Sequence, residues 1–319
     1  VSKSLLVLLC LALSAGALSA CSVWPWGENE RTPAPASSLE RAAERVALAE
    51  GGWAAVDQWG APTKLLPSGK PDTGDALLWA GILCSSGAFG RPGSPSDPVK
   101  FIASCEQVED SQSPDGRMWR HPSRVGRDTV NSFSRDMAMG LLLAVQATGD
   151  VDMLQRWVDY VVENDGACPD ATDNRCQMTT TIWSLARIVA PSVDLHGKKA
   201  LAPKQVLAVL YAAAVGGESG YPLHLIAQQL ILLKRAGESG AILWEETAKT
   251  LYNREPSNAL FAHLAGRNDV AVELLLQQLP TDRPAGASQW SFEREGSSEA
   301  WLQSMGWEYV WLFSEVTRK

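Results

Sequence analysis

Apolar residues recur along this chain with the 3.6-residue period of helices, and no stretch holds the strict two-residue alternation of a β-branched strand. That property commits the chain to an all-α fold. The spacing, with Gly, Pro, Asp and Asn at the breaks, predicts twelve helices at about 37–50, 74–86, 98–110, 135–148, 151–164, 177–190, 203–215, 222–236, 240–253, 257–265, 268–279 and 297–316. Ser37 and Glu40 stand at capping-box spacing where the first begins. With 319 residues and 45% hydrophobic content, the chain can bury a sizeable core in one body.

The helices are of two kinds, and the kinds alternate. Segments such as "VDMLQRWVDYVVEN" and "AILWEETAKTLYNR" carry one apolar stripe and a charged face, as an outer layer requires. Segments such as "GDALLWAGILC", "MAMGLLLAVQA" and "TTTIWSLARIVA" are apolar nearly all round, as a helix enclosed by neighbours must be. Twelve helices alternating this way, joined by turns such as "ATGD", "RAGESG" and "AGRND", resemble the (α/α)6 toroid of many glycoside hydrolases and polysaccharide lyases. The alternative, an α-solenoid of hairpins, calls for a fixed repeat that the sequence lacks.

In such a barrel the inner helices run the same way, so their N-termini and free N–H groups meet at one rim. The residues opening the even-numbered segments are Asp75 and Trp79, Arg135 and Asp136, Thr179 to Thr181, Tyr221 and His224, Ser257 and Asn258, and Glu299 and Trp301. Nearly all can hydrogen-bond a sugar hydroxyl or stack on a sugar ring. The long polar connection "DGRMWRHPSRVGRDTVNSF" adds Trp119, Arg120, His121, Arg127 and Asp128, and long loops of this kind are often functional. Arg135 and Asp136 are thus expected on a cleft floor, with this loop and Gln289 to Trp301 as walls. Plainer roles stand beside these: Asp136 as a first-turn acid paired with Arg135 or Arg127, Asp75 as a helix cap, and His121 as an ordinary loop residue. Most of the thirteen tryptophans are expected in packing, Trp157 and Trp244 among them.

Two chemistries suit the cleft. A glycoside hydrolase needs two carboxyl groups, one protonated and one charged; the candidates are Asp136, Asp75, Glu293, Glu299 and Glu308, with Asp136 expected charged because Arg135 stands beside it. Glu308, alone in the apolar "SMGWEYVWLF", is either a general acid or the buried partner of an Arg. The "SRDMAM" run is also similar to the Arg-Asp pair that grips sugar hydroxyls in glucoamylase-type barrels, which would make Asp136 a binder. A lyase would instead use Arg120 or Arg135 against a uronate carboxylate and His121 or Tyr221 as base. From a different class, a binding, assembly or immunity protein without turnover would share the same helices.

The first twenty residues hold Lys3, an apolar run from Leu5 to Leu13 and then small residues, the build of a secretion signal. Leu18-Ser19-Ala20-Cys21 resembles the lipobox of bacterial lipoproteins, which implies cleavage before Cys21 and lipidation of its thiol. Ser22 after it, rather than Asp, points to the periplasmic face of the outer membrane. The domains expected are a signal at 1–20, a Pro-rich tether at 21–36 and a helical body at 37–319. Without the signal, 27 basic groups face 36 acidic ones, a net charge of −9 that invites no nucleic acid. Four cysteines remain, expected as local bridges Cys84–Cys105 and Cys168–Cys176. No CxxC spacing suggests a metal, the acidic loop at Asp165, Asp170 and Asp173 lacks EF-hand spacing, and no cofactor motif occurs. The partners expected are a glycan and the membrane through the lipid alone, with an envelope protein as a further candidate.

Overall fold

The computed structural model describes residues 32–63, 65–66, 68–71, 73–87, 98–127, 133–168, 174–282 and 306–318. Among them are twelve α-helices and no strand beyond isolated bridges. In order they are α1 (Ala36–Leu48), α2 (Ala76–Gly87), α3 (Pro98–Glu109), α4 (Arg135–Thr148), α5 (Val151–Glu163) and α6 (Thr180–Val189), followed by α7 (Pro203–Gly216), α8 (Tyr221–Arg235), α9 (Ile242–Arg254), α10 (Ala259–Leu264), α11 (Asn268–Gln278) and α12 (Trp307–Thr317). The fold is all-α, as the periodicity requires.

The even-numbered helices form a closed ring: α2 packs on α4, α4 on α6, α6 on α8, α8 on α10, α10 on α12, and α12 returns to α2. The odd-numbered helices lie outside, each against one or more of the ring. Residue chemistry sets this division. In α4 every residue from Met137 to Val145 is buried, whereas α5 buries Met153, Leu154, Trp157, Val158 and Val161 and turns Asp152, Arg156 and Glu163 outward.

The tightest joint in the ring is α2 against α4. A Cβ placed on Gly81 would land on the backbone of Gly140, and one on Gly140 would land on the backbone of Leu77. Only paired glycines let the two helices approach this closely. The crossing draws the N-terminal ends of α2 and α4 together, which brings Asp75 into the electrostatic neighbourhood of Asp136.

Two disulfides lock the body, Cys84–Cys105 between α2 and α3 and Cys168–Cys176 across the loop after α5. Loops of 21 and 8 residues are each worth about 3 kcal/mol of unfolded-chain entropy. Such bonds belong to an oxidising, extracytoplasmic compartment. Among the described residues no helix is long and apolar enough to cross a membrane.

The expected capping box at α1 is not formed. The helix opens one residue earlier, with Pro35 at the N-cap and no side-chain cap, and the Pro35 carbonyl accepts from the Ser38 and Leu39 amides. Ser38, not Ser37, faces inward and donates its hydroxyl to Glu273 at 2.7 Å. Residues 297–305 of the last expected helix lie outside the described residues.

Candidate functional site

The N-terminal ends of α4, α6 and α8 open onto one cleft of about 650 Å³, with α7 as its side wall. Its polar lining is Arg135 and Asp136 from α4, Arg175, Thr179 and Thr181 from the approach to α6, and Gln229 from α8. Tyr221 is 57% exposed at the rim. The apolar lining comes from Met139, Ile182, Leu225 and Ile226 and from a run along α7: Val209, Leu210, Ala212 and Ala213.

Beside the floor, Arg120 links the two rim acids. Its guanidinium donates to the Gly74 carbonyl and, at 3.2 Å, to Asp75 Oδ1. Burial raises the Asp136 carboxyl above the ordinary aspartate value; Arg120 opposes the rise, Asp75 adds to it, and Arg135 and Arg175 oppose it more weakly. The expectation that Arg135 would lower the Asp136 value is thereby corrected in its net sign: the guanidinium does pull the value down, but desolvation outweighs it. Asp136 is the acid whose value burial raises, and Asp75 is the one held against a guanidinium.

The described part of the connection before α4, up to residue 127, does not present Trp119 and His121 to the cleft as expected. Trp119 is buried, donates its indole N–H to Ser113 Oγ at 3.1 Å and lies under the Arg117 guanidinium at 4.2 Å, so its ring offers no face to a sugar. His121 is buried too. The Ser123 amide donates to its Nδ1 at 3.1 Å, which leaves Nε2 to donate to Asp57 at 3.3 Å, with Trp59 edge-on against the ring. Asp57 also accepts from the Trp59 and Ala61 amides and from Gln107. This network holds the segment that carries Arg120, and His121 is neither a sugar binder nor a base. The polar composition of the stretch signalled function, but Trp119 and His121 turn into the body.

Glu308 is fully buried in the first turn of α12 between Trp307 and Tyr309 and is not among the residues lining the cleft. Trp79 and His224 are equally enclosed, stacked on each other with centroids 5.3 Å apart, and burial pushes His224 down to about 3, so the ring is neutral. Asn258 caps α10 by accepting from the Leu260 and Phe261 amides. Cys21, Asp128, Glu293, Glu299 and Trp301, and with them the expected wall from Gln289 to Trp301, lie outside the described residues, as do Asp170 and Asp173.

Arg175 and Gln229 are the polar lining residues that sequence reasoning missed; Gln229 lies inside α8, two turns from its start. Arg175 is the charged one. It sits in the short turn Asn174–Cys176, beside the Cys168–Cys176 bridge, and the Ala167 amide bonds the Cys176 carbonyl at 3.1 Å. The signal was an arginine next to a structural cysteine at a rim. The far side of the cleft is fixed from α9: Arg254 donates to the Ala214 and Gly217 carbonyls at 2.7 Å each, and Glu255 accepts from the Gly220 amide at 2.7 Å. These bonds set the end of α7 and the start of α8, hence the position of Tyr221. Among the described residues no three His, Cys, Asp or Glu side chains are placed to hold a metal ion.

No family model matches this chain, and no curated protein sequence matches it. Among solved structures it is similar to a type II terpene cyclase variant from Scytonema in its apo form, at a TM-score of 0.49 and 12% identity, over 88% of this chain and 98% of that one. A likeness of this degree bears on neither the ligand nor the chemistry.

Proposed function

We propose that this protein is a lipoprotein, anchored through Cys21 at the periplasmic face of the outer membrane, whose cleft hydrolyses a glycosidic bond. The observation that carries the reading is the inequality of two neighbouring acids at the open end of a helical ring: burial raises Asp136, while Asp75 is paired with Arg120. A glycosidase needs such a pair. Asp136 gives its proton to the glycosidic oxygen as that bond breaks, and Asp75, which stands beside the cleft on Arg120 and is not one of its lining residues, is reached by the substrate at the rim and serves the opposite side of the sugar ring, activating water or bearing the developing positive charge. Arg135, Thr181, Gln229 and Tyr221 supply hydrogen bonds to hydroxyls along the lining.

The test is reducing-end release by the full chain from a panel of envelope and exported glycans. Asp136→Asn and Asp75→Asn are each expected to lower turnover at least a hundredfold with the fold intact. Because Asp136 must be protonated to act, the rate should fall as pH rises through its raised value. One observation favours a lyase instead: Tyr221 and Arg135 line the same cleft, a phenol as base and a cation for a uronate carboxylate. An unsaturated, ultraviolet-absorbing product lost in Tyr221→Phe would decide for that reaction. No turnover of any glycan by folded protein would leave a binding protein.

A further inference from the structure

The wall of the cleft formed by α7 is unlike any surface a sugar polymer needs. From Val206 to Gly217 this outer helix carries no charged residue, yet Ala208, Val209, Ala212, Ala213, Val215 and Gly216 are exposed, Val209 at 45% and Val215 at 57%. Outer helices elsewhere turn charges to water; on this one Val209, Ala212 and Ala213 line the cleft, where Leu225 and Ile226 of α8 continue the apolar surface, while Ala208 and Val215 are exposed outside that lining. At one end of the strip stand two guanidinium groups, Arg135 and Arg175, beside Asp136, whose carboxyl burial raises above the ordinary aspartate value. The chain as a whole is acidic, with a net charge of −8, whereas among the described lining residues the cations Arg135 and Arg175 outnumber the one acid, Asp136. Cations at one end and an alkyl strip leading from them complement an amphiphile with an anionic head.

We infer that the cleft binds an anionic glycolipid, with its phosphate or carboxylate between Arg135 and Arg175 and its hydrocarbon chain along α7. The inference rests on the glycan reading for the sugar portion only; the seat for the head and chain stands on the lining itself. A lipid-linked sugar presents its first glycosidic or glycosyl-phosphate linkage at a fixed distance from the anion, next to Asp136. The hydrocarbon, not a row of aromatic platforms, then supplies most of the affinity.

The experiment is equilibrium binding of alkyl phosphates of eight to sixteen carbons to the full chain, each below its critical micelle concentration, with inorganic phosphate and the matching alcohol as references. Affinity should rise about tenfold for every two methylenes over the part of the series that α7 can cover. Ala212→Glu, at an exposed position, should weaken the long-chain phosphate at least tenfold and leave inorganic phosphate unchanged, and Arg135→Gln should weaken both phosphates but not the alcohol. Chain-length independence, or an Ala212→Glu variant that binds like the parent, overturns the inference even if free glycans are hydrolysed. Tight alkyl phosphate binding without turnover of any free or lipid-linked glycan removes the hydrolase and leaves the seat on α7 in place.

Discussion

Helices α5 and α7 occupy equivalent places in the outer layer, with thirteen and fourteen residues, and they treat water in opposite ways. In α5 the division is complete: Trp157 is fully buried, Asp150 caps the helix by accepting from the Met153 amide at 2.8 Å, and the outward Gln155 and Asp159 tie down the loop that follows α6. In α7 only Val206, Leu207, Leu210 and Ala214 are buried, and beyond Lys204 and Gln205 in its first turn the exposed residues are apolar. A helix that leaves alkyl groups in contact with water forgoes solvation that charged residues would have supplied. The contrast teaches that an outer helix of this ring needs only its inward stripe to fold, and that the composition of its other side is set by something else.

The contrast breaks most visibly at Trp157. Trp157→Ala should cost about 3–5 kcal/mol, read from the shift of the denaturant midpoint, because the indole packs against both Phe133 and Trp183. Removing Arg254, which holds the last turn of α7 by two charged hydrogen bonds, is expected to cost about 2 kcal/mol and to weaken ligand binding in the cleft; Arg254→Ala followed by calorimetry and binding separates the two losses. Asp150→Ala, at the cap of α5, should lower stability by about 1 kcal/mol without touching the cleft. Val209→Ser on the open side of α7 should change stability by less than about 0.5 kcal/mol and still weaken the hydrocarbon ligand; an equal loss of both would mean that this side is core after all.

The smallest expected effect concerns pH on the outer side of α5. His196 meets Asp159 at 2.7 Å, and that hydrogen bond raises the imidazole from 6.5 and lowers the carboxyl from 3.8. The histidine's contribution is complete below 6.5 and disappears as pH rises through its raised value; the aspartate's is complete above 3.8 and disappears as pH falls through its lowered one. His196 has a positive φ of 49°, which asparagine also tolerates. The thermal midpoint of His196→Asn should therefore lie below that of the parent at mildly acidic pH and meet it in alkaline buffer.

The helices were legible in the sequence because each signal for them is local: apolar spacing, a glycine or proline at the break, and a difference in kind between "MAMGLLLAVQA" and "VDMLQRWVDYVVEN". The rim was legible through helix direction, which placed Arg135, Asp136 and Tyr221 at N-terminal ends. Loop side chains carry no such period. Trp119 and His121 lie in a connection as polar as any binding loop, and only tertiary packing turns them inward. The raised value of Asp136 was equally hidden, because it depends on a balance between desolvation and four neighbouring charges set by distances along which no sequence runs. Arg175 was passed over because the bridge at Cys176 looked like the whole purpose of its loop. In α7 the missing charges were in plain view, and alternation alone assigned it to the outer layer without asking what an uncharged outer side was for.

The ring closes between the two ends of the body, with α12 packed on both α1 and α2 and its Glu315 held by Arg235 of α8 and by Arg318 at 2.7 Å each. The eleven residues of α12 are thus a keystone made last. Until they arrive, α2 and α10 lack the neighbour that completes the inner layer, and the core has an open seam. A chain of this topology cannot complete its inner layer before α12 has been made, so the segments ahead of it stay pliant until that helix docks.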